Sequence, residues 1–232
     1  MEGYILVDKP HGWTSFDVVH RIRSIVSRST GVRLKSIKVG HSGTLDPFAT
    51  GLLIIMVGGK YTKQSNSLLK QDKVYDVTME LNKVSSTGDP EGEITVMKPS
   101  HKPTSSEINE AVKTFIGEIS QTPPIYSAIK INGVRAYQLA RDKKEVKLEP
   151  RKIFIHSLEI QSYRYPMVSF RTKVSSGTYI RSLVQDIGEV LNTGAFTKEL
   201  RRIQIGNYSI QQAVSVDDIN EQTIKSLLRS EL

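Results

Sequence analysis

The chain has 232 residues, enough to bury a sizeable core in one large domain or in one domain with an insertion. Apolar residues make up 38% and charged residues 24%, which is typical of a folded protein and excludes a disordered one. The absence of cysteine excludes disulfides and thiolate metal sites. The formal net charge of +8 favours a polyanionic partner, nucleic acid before an acidic membrane surface.

The positive charge is concentrated in two segments. Residues 18–41 contain six lysines or arginines and no acid, and residues 130–152 contain eight against three acids. Either segment alone fits an ordinary solvated face, whereas the two together raise the case for a nucleic-acid surface without deciding it. No secretory leader is expected from the first residues, and the apolar run 52–57 is too short to span a bilayer.

The first elements in chain order are a strand and a capped helix. A short apolar strand is predicted at residues 5–7. Thr14 and Asp17 then have the spacing of a capping box, which predicts a helix start. Its apolar residues recur at helical spacing and form one face: Val18, Ile22, Ile25 and Val26.

Two strands are predicted next. Residues 52–57 are continuously apolar, which indicates a buried strand. Residues 73–82 alternate between apolar and polar side chains, which indicates a half-buried strand with period two. One face of this second strand carries Tyr75, Val77, Met79 and Leu81.

The second half of the chain predicts two helices and two strands. Thr104 and Glu107 open a helix whose apolar stripe continues through Ile116, with Gly117 as its end. Strands at 153–160 and 168–174 precede a helix whose core-facing residues run from Ile180 to Leu191 and which ends near Gly194. This mixed order predicts an α+β fold with a largely antiparallel sheet.

The segment 121–151 fits neither period. It is rich in proline, glycine, lysine and arginine, and it carries scattered aromatic residues such as Tyr126 and Tyr137. A long irregular stretch in a compact domain is usually functional or disordered. Its composition suits gripping phosphates and stacking on bases, so we expect it to hold RNA.

The stretch 40–51 places one acid, Asp46, inside a turn of glycine, threonine and proline directly before the buried strand. Pro47 fixes its own φ and pushes Asp46 toward an extended conformation. The residues alone allow an ordinary turn, because these residue types are common in turns, or a rigid loop that aims a reactive carboxylate. The five scattered histidines and the absence of a phosphate-binding glycine motif predict neither a metal nor a cofactor.

The stretch 40–53 resembles the catalytic motif of the TruB family of tRNA pseudouridine synthases. The resemblance extends in register over nearly the whole chain, which makes it specific. It implies the pseudouridine synthase fold, in which helices and loops flank a mixed, largely antiparallel sheet, with an RNA-binding insertion. The further matching segments are 8–10, 12–15, 73–75, 86–92, 121–130, 133–141, 177–183 and 200–202 with Gly206.

The resemblance implies that the protein isomerises uridine 55 in the T-arm loop of tRNA to pseudouridine. The reaction breaks the N1 glycosidic bond, turns the uracil and joins its C5 to the sugar. It exchanges neither atoms nor electrons, so no cofactor is expected. The expected partner is the T-arm stem-loop of tRNA, reached by base flipping, with no membrane and no obligatory protein partner, and the expected location is cytoplasmic.

Three residues match the family's catalytic positions. Asp46 resembles the essential aspartate, which acts as nucleophile toward C1′ or as base toward the 2′ proton. Tyr75 matches the tyrosine that stacks on the target base and is implicated in removing the C5 proton, although its face also fits a core aromatic. Arg181 matches the arginine that pairs with the aspartate and keeps it ionised and oriented.

Five further residues are expected from the resemblance to bind substrate or RNA. His41 matches a motif histidine that fills the space left by the flipped base. Lys9 is expected to support the floor of the site, and Lys130 lies in the RNA-gripping insertion, where a solvated lysine is an equal alternative. Asp89 and Tyr179 lie in matched segments and are expected to contact RNA.

The expected domain organisation is a catalytic domain over residues 1–214, containing the RNA-gripping insertion 121–151. Residues 215–232 are expected to form a short tail, without the PUA-like RNA-binding domain that bacterial relatives commonly carry. Two alternatives stay open. One is a non-catalytic tRNA-binding or folding protein on the same scaffold, and the other is a pseudouridine synthase that takes its target from a guide RNA.

Overall fold

The computed structural model describes residues 1–127, 129–131, 133–142 and 148–230. They divide into two compact units. The first unit comprises Met1–Tyr75 and Leu200–Leu232, and the second comprises Asp76–Glu199. The chain passes from the first unit to the second between Tyr75 and Asp76 and returns between Glu199 and Leu200. Both divisions fall inside strands, so each of these two strands contributes residues to both units.

The strands and helices are numbered in chain order. The strands are β1 (Gly3–Lys9), β2 (Val39–His41), β3 (Thr50–Val57), β4 (Lys73–Leu81), β5 (Lys83–Ser85), β6 (Ile94–Val96), β7 (Gly117–Gln121), β8 (Lys130–Ile131), β9 (Val134–Arg135), β10 (Arg151–Arg164), β11 (Met167–Val174), β12 (Ala195–Ile205), β13 (Tyr208–Ser209) and β14 (Val214–Ser215). The helices are α1 (Ser15–Thr30), α2 (Gly59–Thr62), α3 (Ser65–Leu69), α4 (Ser105–Lys113), α5 (Ala136–Arg141), α6 (Ile180–Val190) and α7 (Ile224–Leu227).

Strand β3 is the centre of the first unit. Along its whole length it pairs antiparallel with β1, which in turn pairs parallel with β14. On its other side, β2 pairs with the last residues of β3 and β12 pairs with the first ones, Thr50 and Gly51. The connection between β2 and β3, residues 42–49, therefore begins and ends on fixed strands. It contains Asp46, and we call it the Asp46 loop.

Both faces of β3 are covered, which explains its unbroken apolar sequence. Leu53, Ile55 and Val57 pack against the apolar face that the sequence predicts for α1. The alternate residues face the other side and pack with Tyr61, Leu68 and Ile205. They are Leu52, Ile54 and Met56.

Helix α1 begins at the predicted residue. The Thr14 side chain accepts a hydrogen bond from the Asp17 amide, and the Asp17 carboxylate accepts one from the Thr14 amide. This reciprocal capping box satisfies donors that the first helical turn leaves free. It also lowers the pKa of Asp17, chiefly through the hydrogen bond from the Thr14 hydroxyl.

The strand order in the second unit is β4-β11-β10-β7, and β10 pairs antiparallel with both β11 and β7. The predicted alternation of β4 is confirmed, because Val77, Met79 and Leu81 are all buried. Glu80, on the opposite face, is buried as well and forms ion pairs with Lys83 and Lys198. Burial alone would raise its pKa, but the hydrogen bonds from the two lysines outweigh this and lower it.

Several details differ from the sequence-based expectation, and two of them bear on the core and on the site. Helix α4 opens with the predicted capping box but ends at Lys113, so Ile116 is 45% exposed and Gly117 begins β7 instead of ending the helix. Strand β12 was not predicted. The α+β class with a largely antiparallel sheet is confirmed. None of the helices in the described part of the chain is long and apolar enough to cross a membrane.

Candidate active site

The N-terminal end of α1 holds the Asp46 loop just before the aspartate. The Leu45 amide donates to Ser15 Oγ at 2.8 Å, and the Ser15 hydroxyl lies 3.2 Å from the Leu45 carbonyl, to which it donates. Ser15 is buried and is the first residue of α1, directly after the N-cap residue Thr14. The capping box that fixes the helix start therefore also fixes the position of Ser15. One side chain thus engages both backbone groups of the residue that precedes Asp46.

Lys9, at the end of β1, holds the loop just after the aspartate. Its ammonium group donates to the carbonyls of Trp13 at 2.6 Å, Pro10 at 2.9 Å and Pro47 at 3.3 Å, and the Gly12 amide also donates to Pro47 at 2.8 Å. Lys9 is completely buried. The expectation that it supports the floor of the site fits this geometry, whereas direct RNA binding by Lys9 does not.

Arg202, on β12, holds the beginning of the loop. Its Nε donates to the Leu52 carbonyl at 2.8 Å, and its terminal nitrogens reach the carbonyls of Gly43 at 3.1 Å and Thr44 at 3.5 Å. Only 1% of Arg202 is exposed. The arginine therefore ties the loop to the strand that follows it.

Gly51 allows β12 to come this close to β3. A Cβ atom built on Gly51 would lie 2.3 Å from the Arg202 carbonyl oxygen, and its φ of +104° is one that other residues rarely adopt. The glycine that ends the sequence motif is thus required for close backbone approach. The backbone on both sides of Asp46 is consequently held by three buried side chains from separate parts of the chain.

Tyr75 and Lys73 lie on the buried face of β4. Tyr75 is 7% exposed, which fits an aromatic ring at the edge of the core. The Lys73 ammonium donates to the carbonyls of Leu69 and Gln71, at 2.9 and 2.6 Å. Burial, with a smaller contribution from the nearby charge of Arg202, lowers the pKa of Lys73 to about 8.

Arg181 lies in the first turn of α6, where the sequence placed it. Its guanidinium donates to Asp89 Oδ2 at 3.0 Å and to the carbonyls of Thr87 and Tyr126, each at 2.8 Å. Arg181 belongs to the second unit and Asp46 to the first, so their pairing stays a prediction.

Asp89 is buried in a polar network, which gives no direct support to its expected contact with RNA, and that contact stays a prediction. Its carboxylate accepts hydrogen bonds from Arg181, from the Thr87 hydroxyl and from the Glu91 amide, and the residue is 2% exposed. A carboxylate buried in this way has a structural role within the protein. Asp89 organises the loop 86–92 and orients the Arg181 guanidinium.

The remaining expected RNA contacts lie in different places. Tyr179 is the N-cap residue of α6, and its amide and carbonyl both bond to the Gln121 side chain, at 2.8 and 3.0 Å. His41 is half-buried at the end of β2, immediately before the Asp46 loop. The side chain of Lys130 lies outside the described residues. RNA contact by these three residues stays a prediction.

Sequence reasoning missed Ser15 and Lys73 and gave Arg202 no role. Lys73 left a signal, because it shares the parity of Tyr75 on the alternating strand and so falls on the buried face. Arg202 left a weaker signal, because it lies in the matching segment 200–202. Ser15 lies in the matching segment 12–15, but its residue type at a helix start gave no indication that it holds the Asp46 loop.

Two family models match this chain in succession. Residues 31–180 match the N-terminal domain of the TruB family pseudouridylate synthases, and residues 181–231 match the tRNA pseudouridylate synthase B C-terminal domain. Among solved structures, a chain of a Cbf5-Nop10-Gar1 complex aligns with a TM-score of 0.69 and 30% identity over 93% of this chain. This chain spans 53% of the length of that one. These matches define the class, an isomerase with the pseudouridine synthase fold.

Similarity to curated relatives narrows the class to one family. The tRNA pseudouridine synthase B of Clostridium acetobutylicum is 44% identical over 97% of this chain and 74% of its own length. The enzyme of the same name from Flavobacterium johnsoniae is 42% identical over 93% of this chain and 94% of its own. The chain belongs to the TruB family of tRNA pseudouridine synthases, the isomerases that form pseudouridine 55.

Proposed function

We propose that this chain converts uridine 55 in the T-arm loop of tRNA to pseudouridine by itself, with Asp46 as the residue that acts on the sugar. The observation that carries the proposal is the fixation of the backbone around Asp46 by Ser15, Lys9 and Arg202. An ordinary surface turn does not need two completely buried cations to hold it, because burying a charge is costly unless it is compensated.

The chemistry requires such a fixed carboxylate. Breaking the bond between N1 and C1′ develops positive charge on the sugar, and a carboxylate placed nearby stabilises it or removes the 2′ proton. Afterwards C5 of the turned uracil bonds to C1′ and loses its proton. A displacement of about 1 Å at the reacting centre can cost about 100-fold in rate, so a loop held at several points is an advantage.

We assign Tyr75, Arg181 and His41 supporting roles at the target nucleotide. The Tyr75 ring provides a surface for the flipped base and is a candidate for removing the C5 proton. Arg181 is proposed to supply the positive charge that pairs with Asp46, as the family resemblance implies, while Asp89 fixes the orientation of its guanidinium. His41, next to the Asp46 loop, is suited to occupy the space that the base leaves.

The similarities favour action without a guide RNA. Identity to enzymes named tRNA pseudouridine synthase B reaches 44%, against 27% for the chain of an H/ACA RNP bound to a substrate RNA. The organised Asp46 loop also speaks against a purely RNA-folding role. The segment 121–151, with Lys130, and Tyr179 remain the proposed grip on the T-arm, and a cytoplasmic location is proposed because the substrate is tRNA.

The test is tritium release from a T-arm minihelix labelled at C5 of uridine. We expect release by the wild-type protein alone and a loss of more than about 10³-fold in Asp46→Asn, the scale typical of removing a group that acts on reacting atoms. The matched control is Asp217→Asn, which removes an exposed carboxylate from the same unit and should keep full activity.

Three outcomes would contradict the proposal. Equal release by wild type and Asp46→Asn would remove Asp46 from the chemistry. Tight binding of the minihelix with no release by the wild type would favour the RNA-folding alternative. Release that begins only when a guide RNA is added would favour the guided one.

A further inference from the structure

A basic groove lies on the first unit, beside the strand that leads into the Asp46 loop. Its volume is about 370 Å³, and its lining includes Arg23, Lys35, Lys38, Gly40 and Thr62. We name it the Lys35 groove. We propose that it binds a backbone phosphate of the substrate RNA at a position away from the target base. The proposal rests on the proposed function, since it takes tRNA as the substrate.

The cations of the Lys35 groove lack counter-ions in the described part of the chain. Some exposed cations elsewhere are paired with acids, for example Arg171 with Asp76 and Lys152 with Glu118. Arg23, Lys35 and Lys38 have no carboxylate within 4 Å among the residues that the structure describes, and the surrounding sequence 18–41 contains no acid at all. Cations left without internal partners attract an external polyanion.

The backbone that carries these cations is held by hydrogen bonds to neighbouring strands and loops. The carbonyl of Lys38 accepts a hydrogen bond from the Gly58 amide at 2.8 Å, and the next residues, Val39–His41, are paired with β3. Arg23 is fixed from α1 by donating to the Val39 carbonyl at 3.3 Å. The cations are therefore mounted on well-anchored backbone, so that less conformational freedom is lost when a ligand binds.

Arg23 also carries a hydrogen-bond donor that the described residues leave unused. The Nε atom of Arg23 is buried and has no hydrogen-bond partner in the described part of the chain. Buried donors are seldom left without a partner, and those that are need an explanation. A phosphate oxygen entering the groove would bring an acceptor to the arginine edge, while the flexible lysines would reach the same anion as point charges.

The Lys35 groove lies near the Asp46 loop along the chain. Gly40 lines the groove and lies six residues before Asp46. Six residues span at most about 20 Å, so the groove is close enough to serve the stem-loop that carries the target. The other contacts with the T-arm proposed above lie in the segment 121–151 and at Tyr179. The Lys35 groove adds a contact from a separate part of the sequence and on the same unit as Asp46.

The test measures how binding of a T-arm minihelix depends on salt. Replacing both lysines in Lys35→Gln with Lys38→Gln should weaken binding and reduce the slope of log K against log salt by about 0.7 to 0.9 for each phosphate that the protein no longer neutralises. The matched control is Lys113→Gln with Lys225→Gln, which removes two exposed lysines on helices outside the groove. It should leave the slope unchanged.

A second measurement locates the contact. Ethylation of single phosphates in the minihelix should interfere with wild-type binding at one or two positions that no longer interfere in the lysine double variant. An unchanged slope together with an unchanged interference pattern would overturn the proposal, as would an equal loss in the control variant. Binding is measured without turnover, so an inactive wild-type protein would count against the proposed function while leaving the groove to be judged by its slope.

Discussion

Each of the two units contains a loop organised by a buried arginine, and the two arginines do so in different ways. Arg202 holds the Asp46 loop through three backbone carbonyls. Arg181 holds the loop 86–92 through the Asp89 carboxylate as well as two carbonyls. Among the described residues, Arg202 has no carboxylate partner, whereas Arg181 and Asp89 form an ion pair with side chains only 6% and 3% exposed.

The difference shows two solutions to the same problem. An arginine that binds carbonyls fixes backbone positions directly and leaves its charge to be balanced by peptide dipoles. An arginine paired with a carboxylate is balanced by a full charge, but each partner then depends on the other. Breaking a buried pair leaves an uncompensated charge, which is usually more harmful than the pair is beneficial. We therefore expect substitutions in the loop 86–92 to lower stability and substitutions at Arg202 to lower activity.

The largest effect on stability is expected from Asp89→Ala. It leaves the Arg181 guanidinium buried without its carboxylate, and we expect a loss of about 3–5 kcal/mol in the free energy of unfolding. The control is Asp76→Ala, which breaks the exposed pair with Arg171 and should cost about 0–1 kcal/mol. Urea titration of both variants measures the comparison, and equal losses would contradict the central role given to the buried pair.

Arg202→Lys should affect activity more than stability. Lysine keeps the positive charge and fills much of the space, but it cannot reach three carbonyls in the planar geometry of a guanidinium. We expect kcat to fall by about 100-fold, because the Asp46 loop loses an anchor, while KM for the minihelix changes little. Single-turnover kinetics separates the two. A rise in KM with normal kcat would show that Arg202 serves RNA binding instead of the position of Asp46.

Much of the fold was predictable because its signals are local. The capping boxes at Thr14 and Thr104 gave the starts of two helices, and the unbroken apolar run and the alternation through Tyr75 gave two strands. The end of α4 was not predictable, since Ile116 continues the apolar spacing although the helix has ended at Lys113.

Strand β12 and the supports of Asp46 were not predictable, each for its own reason. The sequence of β12 includes Lys198, Glu199, Arg201 and Arg202, and such a charged stretch has no clean period. Its charges are satisfied by distant groups, such as Glu80 for Lys198 and Asp8 for Arg201. The groups that hold the Asp46 loop act on backbone carbonyls, which every residue carries and which therefore leave no pattern in the sequence.

Lys73 offers the smallest and most specific test of the buried charges around Arg202. Its pKa is lowered to about 8 in the folded protein from an ordinary value near 10.5, first by burial and then by the charge of Arg202. Between these two pH values the unfolded chain binds a proton that the folded protein does not, so the stability of the wild type should rise with pH across this range.

Replacing the titrating group should remove that rise. Lys73→Met replaces the lysine with an unbranched apolar side chain that does not titrate. We expect the free energy of unfolding of this variant to change less than that of the wild type between about pH 8 and 10.5. Urea titrations at several pH values measure the two slopes. Arg202→Lys provides the matched comparison, because it keeps the nearby positive charge and should leave the pH dependence in place while reducing kcat. Parallel curves for Lys73→Met and the wild type would mean that the Lys73 ammonium keeps its proton across this pH range. The carbonyls of Leu69 and Gln71 would then compensate for the burial of the ammonium group as fully as peptide dipoles compensate for the burial of Arg202.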